Sequence, residues 1–131
     1  MRYGVTMFMT DLTMPPEELL ELLELEREHP QLVDPSSPTQ RVAGRAVTVR
    51  MKAKGTEEPK QHLGTAAIMA ADPGDIIVID HRGRADAAAW GGILSTGAKA
   101  KGIAAVLVDG ACRDVDEAMG LGLPVFARSA T

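Results

Sequence analysis

Arg113 and Asp114 are adjacent in the sequence and lie shortly after an apolar run, IAAVLVDG, at residues 103–110. An arginine guanidinium can bind a carboxylate through two parallel hydrogen bonds and can stabilise the negative charge of an enolate. An aspartate carboxylate is a hard oxygen ligand, and Mg²⁺ commonly binds one or two such groups together with several waters. The pair fits a site that holds a small anion and a divalent cation. The alternative is a solvated ion pair in a surface loop.

A second segment, Trp90-Gly91-Gly92, lies at the predicted start of a helix. The first N–H groups of a helix have no partner within it, and the helix dipole places positive charge there. The backbone N–H groups of Gly92, Ile93 and Leu94 are therefore candidate donors to a carboxylate. The alternative is that the two glycines only allow Trp90 or a neighbouring strand to pack closely.

Three apolar segments of the second half of the chain predict core strands. DIIVID at 75–80 and IAAVLVDG at 103–110 are continuous apolar runs of the kind found in strands that are covered on both faces, and LPVFARS at 123–129 predicts a third. The two candidate segments follow the carboxyl ends of the first two strands. Ligands of open α/β sheets bind at that edge, so we expect the segments to converge there.

The residues between these strands predict a loop and two helical segments. HRGR at 81–84 predicts the loop, residues 85–102 contain a predicted helix with Gly102 as its C-cap, and 113–122 predicts a short helical turn. Strands that alternate with helices in this way predict an α/β fold with a parallel βαβ core.

The first half of the chain is less regular. PPEELLELLELERE at 15–28 predicts an amphipathic helix, and VAGRAVTVRM at 42–51 predicts a strand. The small residues of 62–71 predict a second helix, and the stretches 30–41 and 52–61 predict loops.

Composition indicates an ordinary globular protein, and the length of 131 residues fits a single domain over 1–131. The net charge of −4 gives no basic footprint for nucleic acid, and 3% aromatic residues leave little surface for base stacking. No apolar run reaches the length of about 18 residues that a membrane span needs. We therefore expect a cytoplasmic protein that binds neither nucleic acid nor membrane. The one cysteine, Cys112, excludes an internal disulfide and fits a reducing compartment.

Three other reactive side chains have weaker patterns around them. Cys112 is next to Arg113, which could lower the pKa of the thiol, but no histidine is paired with it in the sequence. His62 and His81 each stand apart from other metal-ligand residue types, and a structural or interface role is the simpler interpretation of His62. No zinc, serine-hydrolase or glycine-rich phosphate motif is present in the sequence.

Five blocks in a fixed order resemble the RraA-like family. They are VAGRAVTV at 42–49, ADPGDIIVID at 71–80, WGGILSTGAKAKG at 90–102, VDGACRDVDE at 108–117 and GLPVFAR at 122–128. The family includes aldolases of 4-hydroxy-4-methyl-2-oxoglutarate and 4-carboxy-4-hydroxy-2-oxoadipate, and regulators of ribonuclease E activity. The ordered blocks span about 41–131, which we take as the RraA-like core, with 1–40 as an N-terminal helix and loop.

The resemblance implies a swivelling β/β/α domain that assembles as a homotrimer or hexamer, with sites between neighbouring subunits. It implies a divalent metal, Mg²⁺ or Mn²⁺, bound through Asp114, and a catalytic Arg113 that contacts the pyruvate part of the substrate. It also implies that backbone amides around Gly92, Ile93 and Leu94 receive the substrate carboxylate. These are the positions that residue chemistry selects on its own.

The sequence departs from the family pattern in two places. The aldolases carry the motif D-x20-R-D, and the position of its first aspartate is occupied here by Gly92, which has no side chain. Family members also continue past the GLPVFAR block, with a segment that supplies closing strands and, in aldolases, an acid for the neighbour's site. This chain stops at Thr131. It is a shorter piece, a second chain completes the fold, or residues 1–40 compensate.

Two functions fit these observations. The first is a class II, metal-dependent lyase that cleaves a small 2-oxo acid through a pyruvate enolate, by retro-aldol cleavage or by decarboxylation of oxaloacetate. The second is a non-catalytic RraA-like module that regulates a ribonuclease by binding protein. An enzyme for a different small acid, or a subunit of a split complex, is a third alternative.

Overall fold

The computed structural model describes residues 42–51 and 62–131. The helix predicted at 15–28 and the loops predicted at 30–41 and 52–61 lie outside the described residues. Within the described ranges, no helix has both the length and the apolar character that crossing a bilayer requires.

The described residues form one parallel sheet with its strands in sequential order. The strands are β1 (Ala46–Arg50), β2 (Ile76–Trp90), β3 (Ala105–Cys112) and β4 (Val125–Ala130). The helices are α1 (Leu63–Ala70), α2 (Gly92–Lys101) and α3 (Val115–Gly120). All three strand pairs are parallel, so the predicted α/β fold with a parallel βαβ core is confirmed.

The core lies on both faces of β2, as its continuous apolar run predicts. Ile77 and Ile79 point into the larger cluster, which packs against the helices, whereas Ile76 and Val78 point into a smaller cluster on the other face. All four side chains are at most 2% exposed. Burial of each such side chain stabilises the fold by about 1.5–3 kcal/mol, so this one strand is a major source of stability.

β2 continues to Trp90, so the predicted loop at 81–84 is wrong, whereas the helix predicted within 85–102 is confirmed as α2, which begins at the Trp90-Gly91-Gly92 segment. Arg82 and Gly83 have φ angles of 58° and 66°, which turn the backbone sharply within the strand. The Asp80 carboxylate accepts a hydrogen bond of 3.0 Å from the Arg82 N–H at this turn. The pairing of β2 with β3 has three irregular shifts in register between Asp80 and Trp90.

Residues 85–89 are rich in alanine, which has the highest intrinsic helix propensity. Pairing with the neighbouring strand overrides that preference here, since Ala88 lies opposite Ala111 and Trp90 lies opposite Cys112. A hydrogen bond of 2.9 Å between Nε2 of His81 and the Ala87 carbonyl closes the irregular segment. His81 is 5% exposed, which supports a structural role for this histidine.

An ionic cluster fixes the turn that leads into β2. The buried Asp75 carboxylate accepts hydrogen bonds from the Arg45 guanidinium at 2.6 and 3.2 Å and from the Asp72 N–H at 2.8 Å. Burial alone would raise the pKa of Asp75, but these hydrogen bonds and the charge of Arg45 outweigh it and lower the pKa below its usual value. The ionised form of Asp75 therefore stabilises the fold.

Replacing Asp75 with asparagine should lower the free energy of unfolding by about 1–3 kcal/mol at pH 7, because Arg45 loses a buried anionic partner. Because folding lowers the pKa of Asp75, this stabilisation is complete when the pH is above the pKa of the unfolded state, which is about 3.9. The stabilisation is lost as the pH falls through the pKa of Asp75 in the folded protein. Urea denaturation of both proteins across pH 2–7 measures the difference. Asp72→Asn is the matched control, because its exposed side chain should contribute less than about 1 kcal/mol. If the difference in unfolding free energy between the wild type and Asp75→Asn does not change with pH, the stabilising role of ionised Asp75 is contradicted.

Candidate functional site

The ends of β2 and β3 bring the two candidate segments together. Trp90 and Cys112 are register partners at these ends, and the Arg113 N–H donates a hydrogen bond of 3.0 Å to the Trp90 carbonyl. The residues that follow each strand are therefore neighbours in space.

Gly91 allows the arginine and the aspartate to approach the start of α2. A Cβ atom added at Gly91 would lie 3.0 Å from Nε of Arg113 and 3.0 Å from Oδ2 of Asp114, closer than ordinary contacts. The backbone of Gly91 is extended, with φ at −159°, so the need for glycine arises from space and not from conformation. The close approach at Gly91 is thus made by the charged side chains of Arg113 and Asp114, and not by Trp90 or a neighbouring strand as the alternative interpretation had it.

Asp114 is directed away from its own helix and towards α2. It occupies the N-cap position of α3 in the left-handed conformation, with φ at 57°, and its side chain accepts no capping hydrogen bond from α3. Its Oδ2 accepts a hydrogen bond of 3.1 Å from the Gly92 N–H and lies 3.4 Å from Nε of Arg113. A left-handed conformation costs an ordinary residue about 1–2 kcal/mol, and such strain is concentrated at functional sites.

The three amides predicted to receive a carboxylate have different surroundings. The Gly92 N–H is bonded to Asp114, while the first bond within α2 joins the Ser95 N–H to the Gly91 carbonyl at 3.0 Å. The N–H groups of Ile93 and Leu94 precede that bond and have no hydrogen-bond partner among the described residues. An incoming anion would therefore meet the Ile93 and Leu94 amides.

A cavity of about 490 Å³ lies beside this helix start. Arg113 is in its wall, and so are both residues whose amides are unpaired. Small side chains from the end of β2 form much of the remaining wall. The full lining is His62, Thr65, Asp86, Ala87, Ala88, Ala89, Trp90, Gly91, Ile93, Leu94, Arg113 and Thr131. The volume is within the range of small-molecule sites, which makes the cavity a candidate substrate site.

Asp86, which also lines this cavity, forms an ion pair with Arg84. The Arg84 guanidinium donates hydrogen bonds of 2.9 and 2.7 Å to its two carboxylate oxygens. These bonds, with a smaller effect from the Arg84 charge, lower the pKa of Asp86 to about 2. The same pairing raises the pKa of Arg84 above its usual value, so both groups stay charged at neutral pH.

The other reactive residues contribute unequally. His62 is exposed and lines the cavity, whereas His81 is buried and is not part of its lining. Burial raises the pKa of the Cys112 thiol, opposite to the lowering that its position beside Arg113 suggested. A buried, protonated thiol is a poor nucleophile, and Cys112 belongs to the core.

Glu117 is a site residue that sequence analysis missed. Its carboxylate contacts Gly92, the first residue of α2, on the side where that residue would carry a side chain. The spacing Asp114-x-x-Glu117 is typical of a helix N-terminus, where the fourth residue is often an acid, and could have drawn attention to it.

The donor set fits the divalent cation that the resemblance implies. Asp114 and Glu117 both place carboxylate oxygens at Gly92, and hard cations such as Mg²⁺ prefer oxygen ligands. Among the described residues, no three His, Cys, Asp or Glu side chains gather around one point. Two carboxylates suit a cation that keeps several waters, which is how Mg²⁺ usually binds.

These features define a small parallel α/β protein whose candidate site lies at the carboxyl ends of its strands. Residues 17–131 match the model of the RraA-like family, described as Aldolase/RraA, and the chain belongs to this family. The resemblance found in the sequence is thereby confirmed.

Individual relatives match shorter stretches. A protein of Halalkalibacterium halodurans named "Putative 4-hydroxy-4-methyl-2-oxoglutarate aldolase" is 43% identical over 65 residues, which is 50% of this chain and 31% of that protein. The structure of the RNA-processing inhibitor RraA from Thermus thermophilis superposes with a TM-score of 0.58 at 30% identity, over 67% of this chain and 50% of that one. RraAS2 of Streptomyces coelicolor is described as an unusual member of the RNase ES inhibitor RraA protein family. Its structure superposes with a TM-score of 0.60 at 30% identity, over 67% of this chain and 42% of that one. The chain thus spans half or less of the length of each.

Proposed function

We propose that this chain forms a divalent-metal-dependent lyase site, which cleaves a small 2-oxo acid through a pyruvate enolate. The observation that carries the proposal is the meeting of Arg113, Asp114 and the start of α2 beside one cavity. The likeness to a protein named for 4-hydroxy-4-methyl-2-oxoglutarate aldolase activity supports the same reaction class. Oxaloacetate, which yields the same enolate by decarboxylation, is the simplest substrate to test.

Arg113 and α2 are the residues proposed to bind the pyruvate part of the substrate. The substrate carboxylate lies at the unpaired N–H groups of Ile93 and Leu94, where the positive end of the helix dipole favours an anion. The Arg113 guanidinium, 63% exposed on its side chain, is free to turn into the cavity and donate to the 2-oxo oxygen. The hydrogen bond from Arg113 becomes stronger as negative charge develops on that oxygen, so it stabilises the transition state more than the bound substrate.

Asp114 is the residue proposed to hold the cation. The Gly92 N–H fixes the orientation of its carboxylate, in the way that outer hydrogen bonds orient metal ligands. A divalent cation bound there supplies Lewis-acid polarisation of the 2-oxo group. The Arg113 charge, 3.4 Å from the same carboxylate, adds to the positive potential around that group.

The proposed reaction conserves atoms and charge. In retro-aldol cleavage the 4-hydroxyl group loses its proton and becomes a carbonyl, while the bond between C3 and C4 breaks. The electron pair of that bond passes to the pyruvate fragment, which becomes the enolate held by Arg113. A proton added at C3 then gives pyruvate. In oxaloacetate the same electron pair is released when carbon dioxide leaves.

Pyruvate release from oxaloacetate tests the proposal. We expect release that requires Mg²⁺, stops on addition of EDTA and falls by at least about 100-fold in Asp114→Asn, because the cation loses its principal ligand. Lactate dehydrogenase and NADH report the pyruvate continuously, and a protein-free reaction at the same Mg²⁺ concentration corrects for spontaneous decarboxylation. Equal rates for the wild type, the variant and the protein-free reaction would contradict the lyase assignment for this substrate. The same assay with 4-hydroxy-4-methyl-2-oxoglutarate then tests the retro-aldol reaction.

A non-catalytic regulator of a ribonuclease is the second candidate. The likeness to RraA, which is described as an RNA-processing inhibitor, favours it, and Ile93 presents an apolar side chain that is 86% exposed. If this function is correct, the protein slows RNA cleavage by a ribonuclease E-type enzyme and releases no pyruvate from either oxo acid. An Ile93→Asp variant should then lose the inhibition.

A further inference from the structure

Glu117 is held in the first turn of α3 by its own backbone. Its N–H donates a hydrogen bond of 3.1 Å to the carbonyl of Asp114. The position of its side chain is therefore tied to Asp114, the residue proposed to bind the cation. From this turn the side chain extends towards the start of α2.

The Glu117 carboxylate takes the place of a side chain at position 92. A Cβ atom built on Gly92 would overlap this carboxylate, and even its more distant oxygen, Oε1, would be only 3.1 Å away. Gly92 has helical backbone geometry at the start of α2, so the Glu117 carboxylate occupies the space into which a side chain at position 92 would project.

Two carboxylates consequently meet at a single residue. Oδ2 of Asp114 binds the Gly92 N–H, and the Glu117 carboxylate contacts Gly92 on its side-chain side. Both groups lie at the positive end of the α2 dipole, and Arg113 supplies a nearby positive charge to Asp114 alone. The remaining like-charge repulsion is relieved by a divalent cation, and two carboxylates are a usual complement for Mg²⁺.

We propose that Glu117 is the second carboxylate of the cation site, delivered from α3 into the place of a side chain at position 92. This inference rests on the proposed function, because that function places the cation at Asp114. Glu117 would then be a cation ligand, and its carboxylate would raise the affinity of the site for the cation.

Binding of Mn²⁺, followed by the EPR signal of the free ion, tests this role without any turnover. We expect Glu117→Gln, which keeps the shape of the side chain, to raise the Kd about 10–100-fold. Asp116→Asn is the matched control, because it removes the same charge from the neighbouring exposed residue of α3 and should change the Kd by less than about twofold. Circular dichroism checks that both variants are folded.

An exchange variant tests the location of the charge. Gly92→Asp combined with Glu117→Ala returns a carboxylate to the same place from α2, and its Kd should recover to within about tenfold of the wild type. A Kd for Glu117→Gln equal to that of Asp116→Asn would overturn the inference. So would an exchange variant that binds Mn²⁺ no better than Glu117→Gln.

The two levels of the proposal fail in different ways. If Asp114→Asn abolishes Mn²⁺ binding and Glu117→Gln leaves it unchanged, the inference about Glu117 is wrong and the cation site at Asp114 stands. If Glu117→Gln weakens binding but neither oxo acid yields pyruvate, the inference stands and the lyase assignment fails. A wild-type protein that binds no Mn²⁺ overturns both.

Discussion

Replacing Trp90 with alanine is expected to lower the free energy of unfolding by about 3–5 kcal/mol, the range for truncating a large buried aromatic side chain. Trp90 is 2% exposed and is the largest fully buried side chain of the described residues. It is the last residue of β2, so its loss removes packing from the point at which the sheet passes into α2. Urea denaturation followed by far-ultraviolet circular dichroism measures the change without relying on the lost fluorophore.

Trp90→Phe separates the bulk of the ring from its polar atom. Nε1 of Trp90 donates a hydrogen bond of 2.9 Å to the hydroxyl of Ser95, and that hydroxyl donates one of 3.2 Å to the Gly91 carbonyl. Phenylalanine retains most of the apolar volume and removes the first of these bonds, so a loss of about 1–2 kcal/mol is expected. An alanine variant within about 1 kcal/mol of the wild type would show that Trp90 does not anchor this junction.

Replacing Arg113 with alanine is expected to lower kcat/KM for pyruvate release from oxaloacetate by about 10²–10³-fold, the usual effect of removing one donor to a developing oxyanion. The side chain is 63% exposed, so the stability of the fold should change by no more than about 0.5 kcal/mol. Steady-state kinetics at saturating Mg²⁺, with urea denaturation of the same preparation, distinguish loss of catalysis from loss of fold.

Two control variants sharpen this result. Arg113→Lys retains the charge but not the planar pair of donors, and we expect it to remain well below the wild type. Arg50→Ala removes an arginine that pairs with Asp80 beside β1 and does not line the cavity, so it should leave the kinetics unchanged. An Arg113→Ala variant within about threefold of the wild type would show that the guanidinium does not act in the transition state.

The meeting of Arg113 with the start of α2 was predictable from the sequence. Continuous apolar runs identified buried strands, and parallel strands place their carboxyl ends at one edge of a sheet. Gly102 was also identified correctly as a C-cap: its φ of 82° is in the left-handed region, which glycine adopts without strain. These features depend on local pattern and on topology, both of which a sequence records.

Features that depend on contacts between distant residues were not predictable in this way. Local propensity favours a helix at 85–89, and only the pairing of Ala88 with Ala111 makes the segment part of β2. The contact of Glu117 with Gly92 arises because two helix starts meet beside the sheet edge. Spacing along the chain indicates that Glu117 is near a helix N-terminus, but it does not indicate which helix its carboxylate contacts.

The overlap between the Glu117 carboxylate and a Cβ atom at position 92 means that a side chain introduced there would displace the end of the Glu117 side chain. An acid can reach this point from α2 or from α3, so a carboxylate introduced at position 92 would compete with Glu117 for the same space. A comparison by sequence position alone would count Gly92 as the loss of an acid, although the Glu117 carboxylate lies at the same place in the fold.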